Sequence, residues 1–290
     1  MDDKSQPAVT HQGALSEARL YGGNFDSETT LLLHSYDHPN GDLAVGIARS
    51  PDKITPIEDS AAIVPLANNG LVTMIADGVG GLPTGWKASG MVIENLQRAL
   101  CATNNDEARV RTAILDGIEQ ANTALLGLST GTSTTLVVAD VRDQHVRTFH
   151  IGDSAAWVCG QRGVIKLQTT PHSPVGFALE AGLMNEKEAL DHEELNVISN
   201  VVGSADMRIE IGSRFPLAPK DTLLLASDGL FDNLLEDEIV DIIRTGSVSD
   251  NLLELWKLTE QRMAGTNKNK PSKPDDFSVV LYRPHSPVPI

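Results

Sequence analysis

Apolar residues alternate with small or polar ones at Leu43, Val45 and Ile47, and short apolar runs follow near residues 59–65 and 70–77. Period-two patterns and short apolar runs of this length predict β-strands. Over residues 84–101 and 106–128 the spacing changes, and in the second stretch Ile114, Ile118, Ala121 and Leu125 recur every three or four residues. That period predicts two long helices, the second with one apolar face. A strand meander over 133–138, 146–151 and 155–158 follows. Strands are expected again at 208–214 and 221–227, helices at 236–245 and 250–264, and a last strand at 277–283. Runs of strands separated by paired helices, without strict alternation, predict an α+β architecture of layered antiparallel sheets.

Residues 1–41 are polar and carry the breakers Tyr21-Gly22-Gly23-Asn24 and Asp37-His38-Pro39-Asn40-Gly41. They show no sustained period and are read as a flexible or loosely packed lead-in, with ordered structure beginning at Asp42. One domain is expected over 42–285, with a flap inserted at about 172–206 and a short tail at 286–290. His34 and His38 fall in the polar lead-in and are expected to be solvated.

Composition narrows the function classes. The chain has 290 residues with 41% hydrophobic content, enough for a sizeable core. Its formal net charge is −16 and it lacks a long Lys/Arg block, which argues against nucleic acid or an anionic membrane as the main partner. The two cysteines, Cys101 and Cys159, have no Cys-x-x-Cys spacing. Neither a disulfide framework nor a zinc ribbon is supported, and both thiols are expected reduced. No apolar stretch of signal-peptide or membrane-spanning length is present, so the expectation is a soluble, cytoplasmic protein.

The chemistry lies at strand ends. Two apolar runs, Thr73-Met74-Ile75-Ala76 and Leu223-Leu224-Leu225-Ala226-Ser227, close on Asp77-Gly78 and Asp228-Gly229. A lone carboxylate cannot enter a strand's core, so each Asp must sit at the exposed end, where two such ends can share a rim. Asp153 closes a third run, and Asp275-Asp276 precede a fourth. Oxygen-rich clusters of this kind suit magnesium or manganese. The glycine-rich stretch 78–87 does not make a nucleotide loop: Pro83 stands where a dinucleotide fingerprint needs Gly, and Trp86 where a P-loop needs Lys. A phospho-aspartyl mechanism is also unsupported, because Ala226 occupies the position two residues before Asp228 where that nucleophile would stand.

Six ordered pieces then match a family pattern: Glu58-Asp59, Ala76-Asp77-Gly78-Val79-Gly80-Gly81, Gly131-Thr132-Ser133-Thr134, Ile151-Gly152-Asp153-Ser154, Ala226-Ser227-Asp228-Gly229-Leu230-Phe231-Asp232 and Asp275-Asp276-Phe277-Ser278-Val279. Over about residues 42–283 the chain resembles the metal-dependent protein phosphatases of the 2C family, in their bacterial form. The resemblance implies a central antiparallel β-sandwich flanked by helix pairs, in four layers α-β-β-α, with two Mn2+ or Mg2+ ions at one end. It implies that Asp77 bridges both ions, that Glu58 and the Gly78 carbonyl serve one, and that Asp228 and Asp275 serve the other. Asp153 looks like the acid that, with Asp228, holds a third and weaker ion. Asp77, Asp228 and Asp275 are the implied catalytic acids.

Three departures stand out. Family members usually carry a phosphate-gripping Arg where this chain has Ile54; Lys53 and, further back, Arg49 are the candidate substitutes. Lys offers a point charge rather than a bidentate fork. Val79 stands where eukaryotic relatives have His, and Ala155 where an Arg often follows Gly-Asp-Ser. The resemblance implies a serine/threonine protein phosphatase acting on a phosphoprotein substrate, with a Ser/Thr kinase or its targets as partners. The alternatives are a catalytically weak regulator of the same fold, or a phosphatase of small phosphorylated metabolites.

Overall fold

The computed structural model describes residues 7–23, 30–51, 53–79, 84–103, 106–265 and 270–286. Strands β1 (Ala8–Ala14), β2 (Arg19–Gly23), β3 (Leu32–His38) and β4 (Gly41–Ala48) lead into β5 (Ile57–Pro65) and β6 (Leu71–Asp77). Helices α1 (Gly85–Cys101) and α2 (Glu107–Leu128) separate these from β7 (Leu136–Arg142), β8 (His145–Ile151), β9 (Ala155–Cys159) and β10 (Ile165–Gln168). The short helices α3 (Pro174–Glu180) and α4 (Glu186–Leu190) follow, then β11 (Glu210–Ile211), β12 (Phe215–Pro216) and β13 (Thr222–Ala226). The chain closes with α5 (Asp228–Phe231), α6 (Glu236–Ile243), α7 (Val248–Met263) and β14 (Phe277–Pro284).

Two sheets form. One has the order β1-β3-β4-β14-β13-β9-β10 and the other β11-β8-β7-β6-β5-β2, with β12 also paired to β8. All pairings are antiparallel except β1 with β3. Alternation sorts the side chains of each strand between two apolar layers. In β13, Leu223 and Leu225 enter the interior between the sheets with Val45, Ile63, Val137 and Val280. Leu224 and Ala226 face the other way, with Trp256, Leu252 and Ile239 of α6 and α7. On the second sheet Val72, Met74 and Val138 meet Val92, Leu96, Ile114 and Ile118 of α1 and α2. Three apolar layers between four structural layers make the expected α-β-β-α sandwich.

Helix starts follow ordinary capping chemistry. The Asp106 carboxylate accepts from the Ala108 N–H at 3.0 Å at the start of α2, and Ser247 Oγ accepts from the Asp250 N–H at 3.1 Å at the start of α7.

The expectation of a loosely packed lead-in before Asp42 is corrected over its described residues. Strand β3 forms a hairpin with β4, and the breakers at Pro39-Asn40 make its turn rather than a linker. Leu31 and Leu33 are fully buried under the α7 side of the sheet, while Tyr36 enters the sandwich interior and shares a 2.5 Å hydrogen bond with Tyr21. The expected solvation of the two histidines is corrected with it: His38 is buried beside Tyr282, and the His34 ring packs edge-on to Tyr21 and Tyr36. The expected tail at 286–290 lies outside the described residues except for Ser286. Strand β10 and helix α5 were not foreseen by the periodicity. Cys101 is exposed and Cys159 buried, and both are free.

Candidate metal centre

The antiparallel register places the site. Asp59 on β5 is paired with Asp77 on β6, Leu136 at the start of β7 with Ile151 at the end of β8, and Ala155 at the start of β9 with Ala226 at the end of β13. Phe277 at the start of β14 pairs with Ala48 at the end of β4. Glu58, Asp77, Asp153, Asp228 and Asp275 therefore all fall at one rim of the sandwich, where side chains can leave the core.

Hydroxyls and close backbone contacts hold this rim. Thr134 Oγ1 donates to the Asp77 carbonyl at 2.7 Å, and the Asp77 N–H donates to Thr135 Oγ1 at 3.0 Å. The Gly-Thr-Ser-Thr motif thus fastens the end of β6. Across the sandwich, Ser227 Oγ donates to the buried Asp59 carboxylate at 2.8 Å. A Cβ on Gly229 would lie 1.8 Å from the Asp276 carbonyl oxygen, so only glycine lets α5 sit this close to the start of β14. A Cβ on Gly85 would lie 2.6 Å from Glu58 Oε1 and 3.1 Å from the Gly78 carbonyl oxygen. These two oxygens therefore converge on one small space that only a glycine leaves open.

The electrostatics favour a cation. Burial first, then the charges of Asp59, Asp228, Asp275 and Asp153, hold the Asp77 carboxyl well above its usual range. Burial and then Asp228 push Asp153 up to about 7, Asp232 to about 8 and Asp275 to about 6. One oxygen each of Asp153 and Asp228 is buried with no hydrogen-bond partner. A buried, unpartnered carboxylate oxygen is costly unless a positive charge faces it.

Two lysines supply part of that charge. Lys53 Nζ donates to Glu58 Oε2 at 2.8 Å and to Asp276 Oδ2 at 2.5 Å. Asp276 in turn accepts the backbone N–H groups of Ser50 at 2.8 Å and Glu58 at 2.7 Å, so it organises the loop that presents Glu58. Lys273 Nζ lies 2.7 Å from Asp228 Oδ2, 2.7 Å from Asp232 Oδ2 and 3.4 Å from Asp275 Oδ2. Burial opposes its charge, but the surrounding carboxylates outweigh burial and keep the ammonium protonated. Ile54, where the family arginine would stand, is almost fully exposed at 94%. Arg49 is half-buried just beyond β4 and forms no ion pair with a described residue.

Asp232 and Lys273 were missed as site residues. For Asp232 the signal was present, since it lies four residues after Asp228 and one helical turn brings both to one face. Lys273 lies in the basic stretch 267–274 just before Asp275, which reads as a solvated loop; nothing local shows that it also meets Asp228 and Asp232, more than forty positions away.

The chemistry of the donors fits hard divalent cations: carboxylates, one backbone carbonyl and no sulfur or imidazole. Among the described residues, a group of three acidic, His or Cys side chains with ligand atoms within 4.8 Å of one another occurs elsewhere, at His150, His172 and Glu210. Among the described residues the rim carboxylates form no group that tight, and an ion held there would complete its shell with water. The histidine group does not suit a metal. The Gly152 N–H at 3.1 Å and the Asn200 amide at 2.9 Å both donate to His172 Nδ1, which leaves the proton on Nε2, donated to Glu210 at 3.1 Å. The Asn200 amide cannot turn over, because it also donates to the Arg208 carbonyl and accepts the Arg208 N–H. This cluster fastens the segment leading into α3 to the Gly152-Asp153 turn.

Comparison with known proteins agrees with this fold. The family model described as "Protein phosphatase 2C" matches residues 52–267. The protein phosphatase PhpP of Streptococcus pneumoniae is 34% identical over 177 residues, 59% of this chain and 71% of that protein. The serine/threonine phosphatase stp of Listeria monocytogenes is 28% identical over 197 residues, 65% of this chain and 77% of the other. Among solved structures, a serine/threonine phosphatase of S. agalactiae superposes with a TM-score of 0.72 at 24% identity, covering 84% of this chain and 99% of that one. The catalytic domain of the phosphatase PstP, solved with two manganese ions, superposes with a TM-score of 0.65 at 22% identity, covering 89% of this chain and 100% of that one. Among the described residues no helix is long and apolar enough to cross a membrane.

Proposed function

Because the chain belongs to the protein phosphatase 2C family, we propose that it hydrolyses phosphoserine and phosphothreonine in protein substrates at the rim formed by Glu58, Asp77, Asp228 and Asp275. The observation that carries this is the convergence of Glu58 Oε1 and the Gly78 carbonyl on one space, beside buried carboxylate oxygens that lack a partner.

Asp77 would be shared by two ions, with Glu58 and the Gly78 carbonyl completing one position and Asp228 and Asp275 the other. Asp153 with Asp228 would hold a third ion more weakly. Bound Mn2+ or Mg2+ would supply an acidified water and neutralise the phosphoryl oxygens. The chain's own groups do the rest. Thr134 and Thr135 hold Asp77 in place, Asp276 and Lys53 orient Glu58, and Gly229 sets Asp228 beside Asp275. Lys53 is the cation that the segment lacking the family arginine brings to this centre, and Arg49 is a second candidate to meet substrate phosphate. Such sites need no side-chain nucleophile, which agrees with a rim made of acids. A Ser/Thr kinase or its targets would be the natural partners, and the cytoplasm the setting.

The test is hydrolysis of a chromogenic phosphate ester while Mn2+ is titrated against a chelator, with Asp228→Asn alongside. Release should require Mn2+ and fall by at least about a hundredfold in the variant, because one of the carboxylates that would hold the ions is lost. Metal binding by calorimetry without turnover would instead mark a regulator, and the catalytic reading would be wrong.

A further inference from the structure

Next to the acidic rim lies a cavity of about 540 Å³ between the α3–α4 segment and the start of β9. It opens onto the centre, since Asp153, Asp228 and Asp232 are part of its lining. Its middle is apolar. Trp157 and Phe231, with ring centroids 4.8 Å apart, meet Val175, Leu179 and Leu190 across the space. Beyond the rim acids, Glu180, Glu186 and Glu236 also line it, and Glu180 and Glu236 reach solvent. Glu186 accepts the Glu236 N–H at 2.5 Å, which ties α4 to the start of α6 and keeps the chamber roofed. The lining holds six carboxylic acids and no Lys, Arg or His. Lys273 touches Asp228 and Asp232 but does not line the chamber.

A volume of this size accepts a large side chain and part of its neighbour. Apolar walls reward burial of a branched or aromatic side chain, and an all-acidic lining favours a cation and repels an anion. Ala155 contributes to this character, because a small neutral residue lines the chamber at that point.

We propose that this chamber is the subsite for residues flanking the phosphorylated Ser or Thr, taking an apolar side chain followed by Lys or Arg. The proposal rests on the phosphatase reading and names its substrate class. With the phosphoryl group at the rim, the apolar side chain lies against Trp157 and Phe231, and the basic one reaches Glu180, Glu186 and Glu236. Peptides with acidic flanks are disfavoured by the same charges.

The experiment compares phosphothreonine peptides on the Mn2+-loaded full chain. One flank carries Leu-Arg, Ala-Arg, Leu-Glu or Ala-Ala, and each series is made in both sequence directions. In one direction the Leu-Arg peptide should exceed the Ala-Ala peptide in kcat/KM by at least about tenfold, mainly through KM, the scale of discrimination by an apolar pocket. The advantage should shrink with added salt, because part of it is charge attraction. Leu179→Trp should narrow the chamber and Glu180→Lys place a positive charge among its acids, and each should cut the Leu-Arg preference at least about threefold. Both positions are solvent-exposed, so folding should survive, and thermal melting checks it. Fluorescence anisotropy with Asp77→Asn, which does not consume the peptide, should rank affinities in the same order. Equal kcat/KM for all peptides in both directions, or a preference untouched by both variants, overturns the subsite. No Mn2+-dependent release from any peptide or from a chromogenic ester would instead overturn the phosphatase reading itself.

Discussion

Lys273 places one positive charge among Asp228, Asp232 and Asp275, and this shapes what the centre does without metal. An ion entering there competes with an ammonium already present. Replacing it with an uncharged side chain of similar length should have two opposed effects. In Lys273→Met the metal-free protein should lose about 3 kcal/mol, the scale of breaking a partly buried ion pair on one side. The same variant should bind its most weakly held Mn2+ at least about tenfold more tightly, a gain of about 1.4 kcal/mol. Melting in chelator and calorimetric titration check the two effects, and an unchanged affinity would show that Lys273 leaves the ion positions free. The acids themselves were legible as residues. Asp77 and Asp228 each end an apolar run and precede Gly, so local sequence states that they leave the core. Lys273 was not legible, because its role depends on which acids a distant loop meets.

Among the elements, the strand most at odds with the sequence is β3. Its polar residues His34, Ser35 and Asp37 hide the period, yet Leu33 is fully buried against the α7 layer. Leu33→Ala should therefore cost about 2–5 kcal/mol in urea unfolding, the range for a truncated core leucine. A loosely packed lead-in would show almost no change. The sequence misled here for a physical reason. Turn residues such as Pro39-Asn40 look alike in a linker and in a hairpin, and only pairing with β4 tells them apart. Helices α1, α2, α6 and α7 were legible because each buries one face in a local period that needs no knowledge of its partner.

Across the whole molecule, the concentration of acids at one rim makes stability depend on pH and metal together. Asp275, Asp153 and Asp232 sit near 6, 7 and 8 in the folded chain, above their ordinary value of 3.8. Between pH 3.8 and those values the folded state holds protons that the unfolded state releases. Their stabilising contribution is full below the ordinary value and is lost as pH rises through each folded value. Without metal, melting temperature should therefore fall from about pH 5 to about pH 8, and saturating Mn2+ should flatten or reverse the trend, because the ion replaces the protons. Melts in chelator and in Mn2+ at those pH values test this, and a metal-free protein that gains stability with pH would contradict it.

Sequence alone determined the layered α+β class and the strand-end acids, because alternation, helical period and Asp-Gly punctuation are local consequences of which side chains can be buried, while the resemblance to the family rested on six ordered motifs. Tertiary structure decided the rest. It recruited β1, β2 and β3 into the sheets, brought Lys53 to Asp276 and Lys273 to Asp228, and closed α3 and α4 over an acidic, apolar-walled chamber. Each of these depends on contacts between segments far apart in the chain, where what a residue does follows from its neighbours in space and not from those beside it in sequence.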